Sequence, residues 1–427
     1  MNNESYFRVK HLKILRKQKF NAQHSVLGLL FFTSSVCYFF FISSQSTNVF
    51  HQQNSNKSNA GEITIDRGLY DYLAFHLRDT PYDGVANYTR FMITALGLKG
   101  LHGVEPLVAG MGLVINDITS FKYPLSISPC RQQDTAGNAN SRSLLISIIS
   151  APDNFEKRQT IRRTWSNHLT NQTNIHRLLE IVGFGFVIGL TNNSLVQQKI
   201  EEESERYGDI LKINVIDKYV KLSVKVAGLI NWVSAYCQRV DFVLKVDDDV
   251  YVNVHNLATV LHSLPPSERS VYGHTAGGNH PSRTEGKWAT SFENWPWYQF
   301  PTYFQGAGIV IAGSAVRSLL SAIQTTPYFI WDDMYLIGLC AVKAGLKIRT
   351  SNRIFFDVPE NYADPCFVHF AVMWSTQSAD WMRSSNKVCQ NYYRNPRAAY
   401  CVVDNQIQLV NGPASASEFS FGFLDHN

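Results

Sequence analysis

Asp247, Asp248 and Asp249 follow one another at the end of the apolar run Phe242-Val-Leu-Lys-Val246, and the chain then returns to Val250-Tyr-Val252. The run reads as a buried strand that stops in three carboxylates. Three adjacent carboxylates repel one another, so they require a cation or solvent. At a strand end the first and third point the same way. Two hard oxygen donors on one side suit a Mg²⁺ or Mn²⁺ that keeps positions open for phosphate oxygens. A solvated acidic turn would look the same over three residues, so the rest of the chain has to decide.

A second acidic pair, Asp332-Asp333, stands before Met334-Tyr-Leu-Ile-Gly338, where a helix is expected to begin. One aspartate there can cap the helix while its neighbour faces a cleft as general base. Arg158 and Arg162 are four apart and share a helix face, behind the turn Ser150-Ala-Pro-Asp-Asn154. A strand, a turn and a basic helix start can seat an anion; plain surface charge is the alternative. Trp288, Trp295, Trp297, Tyr298 and Tyr303 crowd a Gly- and Pro-rich region. Such rings suit sugar faces or a core.

These residues need elements to hold them. Leu144–Ile149, Val182–Gly189, Ile210–Ile216 and Phe242–Val246 read as buried strands. Phe155–Trp165, Leu195–Tyr207 and Tyr219–Arg239 between them have helical spacing. The acidic run Glu201-Glu202-Glu203 reads as a solvated helix face. Alternating strands and helices imply an α/β fold with a mostly parallel central sheet. Ligands of such sheets bind beyond the carboxyl ends of the strands, where the three aspartates fall. Later, Leu257–Leu264 reads as a helix, Ile309–Ala312 as a strand and Leu339–Ala344 as a helix.

Composition is that of a globular chain, with 45% hydrophobic residues and a formal net charge of +5. Much of that charge sits in Arg8, Lys10, Lys13, Arg16, Lys17 and Lys19, so there is no case for nucleic-acid binding. Val26–Ile42 then forms an uncharged apolar run, and about 17–20 such residues span a bilayer. Its length and its basic approach favour a transmembrane signal anchor over a cleaved signal peptide. The expected order is a cytoplasmic tail (1–24), an anchor (25–43), a stem with a partly ordered extension (44–125) and a luminal domain (126–427). Sequons at Asn56, Asn87, Asn171 and Asn192 all follow the anchor. So do six cysteines, an even set that fits an oxidising compartment without disclosing its pairing. The Cys389–Cys401 tail reads as a disulfide-closed appendage.

Arg158-x-x-Ile-Arg-x-Thr-Trp165, Lys245-Val-Asp-Asp-Asp-Val-x-Val252, Pro281-x-Arg283, Tyr303-x-x-Gly-x-Gly308 and Asp332-Asp-Met-Tyr-x-x-Gly338 occur in one order and spacing. That pattern resembles the β-1,3-galactosyltransferase family (glycosyltransferase family 31, Fringe-related) over about Leu144 to His369. The resemblance implies a GT-A, Rossmann-like nucleotide-sugar fold behind a single N-terminal anchor in the Golgi membrane (type II). It implies an inverting, Mn²⁺-dependent transfer of galactose or an N-acetylhexosamine from a UDP-sugar, giving a β-1,3 linkage to a glycan on glycolipid or glycoprotein. Asp247 and Asp249 would flank the metal, with His369 as a further ligand. Asp333 would be the base, with Asp332 beside it. Arg158, Arg162, Asp217, Lys245 and Asp248 would lie at the nucleotide. Homo- or hetero-oligomers are left open. The chain departs from the family in having Lys221-Leu-Ser223 for Asn-Leu-Thr, and Asp332-Asp333 for Glu-Asp with one more residue before the glycine. A sugar-binding or chaperone-like protein on a dead transferase fold is the alternative, and a metal-dependent hydrolase is a third.

Overall fold

The computed structural model describes residues 67–131, 141–171, 177–276, 280–403 and 406–424. The expected tail, anchor and first part of the stem lie outside the described residues. Among the described residues no helix is long and apolar enough to cross a membrane.

The chain runs α1 (Arg67–Leu77), α2 (Val85–Leu96), β1 (Arg142–Ile149), α3 (Phe155–Arg163), α4 (Trp165–Asn171), β2 (Leu179–Leu190), α5 (Ser194–Tyr207) and β3 (Ile210–Ile216). It continues with α6 (Leu222–Tyr236), β4 (Phe242–Asp247), β5 (Val250–Val252), α7 (Val254–Ser263), β6 (Ser270–Gly273), β7 (Gly308–Ala312), α8 (Val316–Thr325) and the π-helical α9 (Met334–Ala341). Last come β8 (Lys347–Thr350), β9 (Phe355–Phe356), α10 (Pro365–Phe370), β10 (Met373–Ser375), α11 (Ala379–Arg394), β11 (Ala399–Val403), β12 (Gln406–Val410) and β13 (Gly422–Phe423).

Eight strands form the main sheet in the order β13-β8-β6-β7-β4-β1-β2-β3. The half β3-β2-β1-β4 is parallel. Beyond it β7 runs antiparallel to both β4 and β6. The sheet is therefore mixed where a mostly parallel one was expected. A parallel return needs a crossover element, and among the described residues the Trp-rich stretch between β6 and β7 contains no helix. From Ser143 to Ile149, β1 is buried whichever way its residues point, so both faces are covered. Strand order reverses between β1 and β4. That switch point opens a crevice, and it sets the ends of β1 and β4 side by side.

The extension before β1 packs onto the domain. Tyr88, Phe91 and Met92 of α2 are buried, and Tyr88 and Phe91 meet Trp295 and Trp297 edge-on or tilted at 5.5 and 5.7 Å. Asn116 Nδ2 donates to the carbonyls of Ile323 and Thr326, at 2.7 Å each, which satisfies the end of α8. Disulfides join Cys130 to Cys237 and Cys366 to Cys401. Cys340 and Cys389 are free and buried. The C-terminal segment is thus tied to α10, and Cys389 does not close it.

Candidate active site

At the switch point Ile149 of β1 pairs with Asp247 of β4, and Asp248 N donates to Ile149 O at 3.1 Å. β4 ends at Asp247 and a two-residue turn follows, which separates the three carboxylates. Asp248 turns into the β1–α3 loop. It accepts from Ser150 Oγ at 2.7 Å, Asn154 Nδ2 at 2.8 Å and Lys157 Nζ at 2.9 Å. Two of the donors belong to the turn that follows β1 and the third to the first turn of α3, so Asp248 fixes that turn against the helix. Asp247 and Asp249 line the cleft. Asp249 is half exposed, with Oδ2 3.2 Å from Lys157 Nζ. Asp247 Oδ1 is buried without a hydrogen-bond partner. Burial pushes the Asp247 carboxyl up to about 6; Lys245 opposes the shift, and Asp332, Asp249 and Asp248 add to it.

The second acidic pair closes on the same cleft from α9. Asp333 Oδ1 accepts from Met334 N at 2.8 Å and caps the helix. A Cβ on Gly306 would stand 2.8 Å from Asp333 Cβ, so glycine is what lets this backbone approach the carboxylate. Asp332 is nearly buried beside Lys245 of β4. The lysine Nζ is 2.9 Å from Asp332 Oδ2, 3.6 Å from Asp247 Oδ1 and donates to Gly306 O at 2.7 Å. Burial alone would lower this ammonium's pKa, yet Asp332 and Asp247 outweigh it and hold the group charged. Burial and the Asp332 charge push Asp333 up to about 7, against the Met334 N–H and Lys245. The pair is therefore divided in role. Asp332 is neutralised by a cation, and Asp333 Oδ2, without a hydrogen-bond partner among the described residues, has a basicity suited to taking a proton.

The donor set fits a divalent cation. Among the described residues Asp247 Oδ1 is buried without a hydrogen bond, with Lys245 Nζ 3.6 Å away, and Asp249 presents a second hard oxygen in the cleft. Mg²⁺ and Mn²⁺ take one or two carboxylates and complete their shell with water and substrate phosphate. Among the described residues no group of three His, Cys, Asp or Glu is arranged to hold a metal. His369, expected as a further ligand, is buried outside the cleft lining. Its Nδ1 lies 2.8 Å from Tyr392 Oη and 3.0 Å from Gly412 O, and its Nε2 lies 2.9 Å from Glu418 Oε1. Both ring nitrogens are committed to holding the C-terminal segment.

Arg158 and Arg162 also depart from expectation. Arg158 is fully buried and spends its guanidinium on Glu203 at 2.8 Å, Ala151 O at 2.7 Å, Pro152 O at 3.0 Å and Ser150 Oγ at 3.1 Å. Arg162 pairs with Glu203 and Asp209, both at 2.7 Å. Neither lines the cleft. They brace the β1–α3 turn from behind, and Glu203 of α5 is their buried counter-ion, not a solvated charge. Asp217 does line the cleft, accepting from Gly189 N at 2.7 Å and Lys225 Nζ at 3.0 Å.

Sequence reasoning missed Lys157 and Tyr219. Tyr219 Oη accepts from Trp288 Nε1 at 3.2 Å, Lys287 Nζ lies 4.8 Å from the Tyr219 ring centre, and Trp331 stands 5.8 Å away. Trp288 is 62% exposed, whereas Trp295 and Trp297 are fully buried. One tryptophan of the three is thus left at the cleft. The cleft has a volume of about 1020 Å³ and runs from Asn192 and Asp217 past both acidic pairs to Trp288.

Residues 156–352 match the family model described as galactosyltransferase. A human lactosylceramide 1,3-N-acetyl-beta-D-glucosaminyltransferase is 29% identical over 233 residues, 53% of this chain and 58% of that protein. A human acetylgalactosaminyl-O-glycosyl-glycoprotein beta-1,3-N-acetylglucosaminyltransferase is 31% identical over 48% of this chain and 53% of its own. The gorilla (Gorilla gorilla gorilla) beta-1,3-galactosyltransferase 5 is 26% identical over 54% and 75%. The matched stretch thus spans between about half and three quarters of these relatives. Among solved structures, a glycosyltransferase involved in the glycosylation of the major capsid of PBCV-1 aligns over 58% of this chain and 98% of its own. Its TM-score of 0.33 and identity of 11% are too slight to build on.

Proposed function

We propose that the chain is an inverting, Mn²⁺-dependent β-1,3-glycosyltransferase. It moves galactose or an N-acetylhexosamine from a UDP-sugar to a hydroxyl of a glycan on glycolipid or glycoprotein. The observation that carries this reading is the meeting of the two acidic sites on one cleft, joined through Lys245. Asp247 and Asp249 would hold the cation, which neutralises charge on a leaving diphosphate. Asp248 fixes the β1–α3 turn, and Asp217 with Lys225 forms the far wall. Asp333 Oδ2 takes the proton of the acceptor hydroxyl as its oxygen bonds to the anomeric carbon and the bond to UDP breaks. Lys245 keeps Asp332 and Asp247 from repelling one another and leaves Asp333 as the free base. Trp288 and Tyr219 offer ring faces for the acceptor.

The N-terminal basic segment and the apolar run 25–43 support a single-pass type II placement in the Golgi membrane, with residues 44–125 as stem and 126–427 as the luminal domain. The printed names of the relatives include both galactosyl- and N-acetylglucosaminyltransferases, so UDP-galactose, UDP-N-acetylglucosamine and UDP-N-acetylgalactosamine are all donors to test. UDP release from each, with and without a β-linked acceptor, tests the reading. Release that needs no acceptor would point to hydrolysis, and Mn²⁺-dependent UDP binding without turnover on any acceptor would point to a sugar-binding protein.

A further inference from the structure

We propose that Asn192 carries an N-linked oligosaccharide at the rim of the cleft; this rests on the luminal placement proposed above. Asn192-Asn193-Ser194 is an acceptor tripeptide in the turn between β2 and α5. All three residues are exposed, and the Asn192 side chain lines the cleft wall beside Leu190 and Asp217. The turn is held by other groups. Asn193 Oδ1 caps α5 by accepting from Leu195 N at 3.0 Å and Val196 N at 3.2 Å, and Asn193 N donates to Thr191 Oγ1 at 3.2 Å. Among the described residues Asn192 Nδ2 has no hydrogen-bond partner, so substituting it breaks nothing.

The other sequon within the described residues is unlike it. Asn87 sits in α2, its Nδ2 bonded to Asp83 and its Oδ1 accepting from Arg90 at 3.0 Å. Thr89 Oγ1 of that sequon is buried. A glycan on Asn87 would cost both side-chain bonds, whereas one on Asn192 extends into solvent. In the transfer, Asn192 Nδ2 forms a bond to the anomeric carbon of a lipid-diphosphate-linked oligosaccharide. The lipid diphosphate departs, and the amide proton passes to the transferring enzyme's base. The finished glycan flanks the nucleotide end of the cleft and narrows the donor's approach.

The test is peptide mass spectrometry of the full chain secreted or membrane-bound in glycosylating eukaryotic cells, before and after amidase release of N-glycans. Conversion of Asn192 to Asp on release is expected. Ser194→Ala should abolish it while leaving Asn192 and the Asn193 cap in place, and Ser194→Thr should restore it. Donor KM should be lower for Ser194→Ala than for Ser194→Thr. Glycan on Asn56 or Asn171 with Asn192 bare would overturn the inference and leave the luminal placement standing. Bare sequons throughout would overturn both.

Discussion

Lys245 Nζ lies 2.9 Å from Asp332 Oδ2, with the lysine side chain 1% exposed. This ion pair ties the end of β4 to the start of α9, and so ties the expected metal site to the expected base. Removing one partner of a buried pair leaves an uncompensated charge, which costs about 3–5 kcal/mol. Lys245→Met is therefore expected to lower stability by that order in equilibrium urea unfolding. Lys245→Met with Asp332→Asn should lose less than the two single changes summed, because the second change removes the stranded carboxylate.

Asp333 links catalysis to pH. Its folded-state pKa, raised to about 7, lies above the ordinary value near 4 of an unfolded chain. The stability this group contributes is thus full below its unfolded pKa and lost as pH rises through about 7. Asp333→Asn never charges. Its melting temperature should exceed that of the wild type by a margin that grows from pH 5 to pH 8, while transfer is abolished. Equal melting at pH 8 would remove the strained carboxylate from the mechanism.

Arg158 gives the opposite expectation from a nucleotide-binding arginine. Arg158→Met removes one of the two arginines on Glu203, leaves Arg162 in place, and frees two carbonyls of the β1–α3 turn, a loss of about 1–3 kcal/mol. The folded fraction should keep its donor KM. A raised donor KM at unchanged stability would return Arg158 to the nucleotide.

Trp288 is expected to act on the acceptor alone. Trp288→Ala should raise acceptor KM about fivefold or more, as loss of a stacked ring costs on the order of 1–3 kcal/mol, with donor KM unchanged. Measuring both constants on one acceptor series checks the split.

The parallel half of the sheet could be read from apolar runs alone, because β1, β4 and the first four residues of β3 are buried whichever way they point and Ile210–Ile216 is bounded as expected. The aspartates fell where the fold class puts ligands. Partners distant in the chain were not readable. Glu203 stands 45 residues from Arg158, and Asp209 stands 47 from Arg162. One signal was present: Glu203 follows the buried Ile200 by three positions, which turns it inward while Glu201 and Glu202 face solvent. Lys157 was overlooked because it adjoins Arg158 on the helix and so faces another way. His369 was misplaced because motif order says nothing of Tyr392, Gly412 and Glu418, which enclose it. Trp295 and Trp297 were separable from Trp288 only once α2 had docked on them. The extra residue before Gly338 coincides with the π-helical turn of α9, the usual way a helix absorbs an insertion.

The most direct measurement is UDP release by the detergent-solubilised full chain with Mn²⁺. Each of the three UDP-sugars is offered with and without a panel of β-linked glycan acceptors, beside Asp249→Asn and Asp333→Asn. Acceptor-dependent release with one donor is expected, with Asp249→Asn losing Mn²⁺-dependent UDP binding and Asp333→Asn keeping it but losing transfer. Absence of UDP binding by the wild type, or full transfer by Asp333→Asn, would contradict the assignment of the cleft.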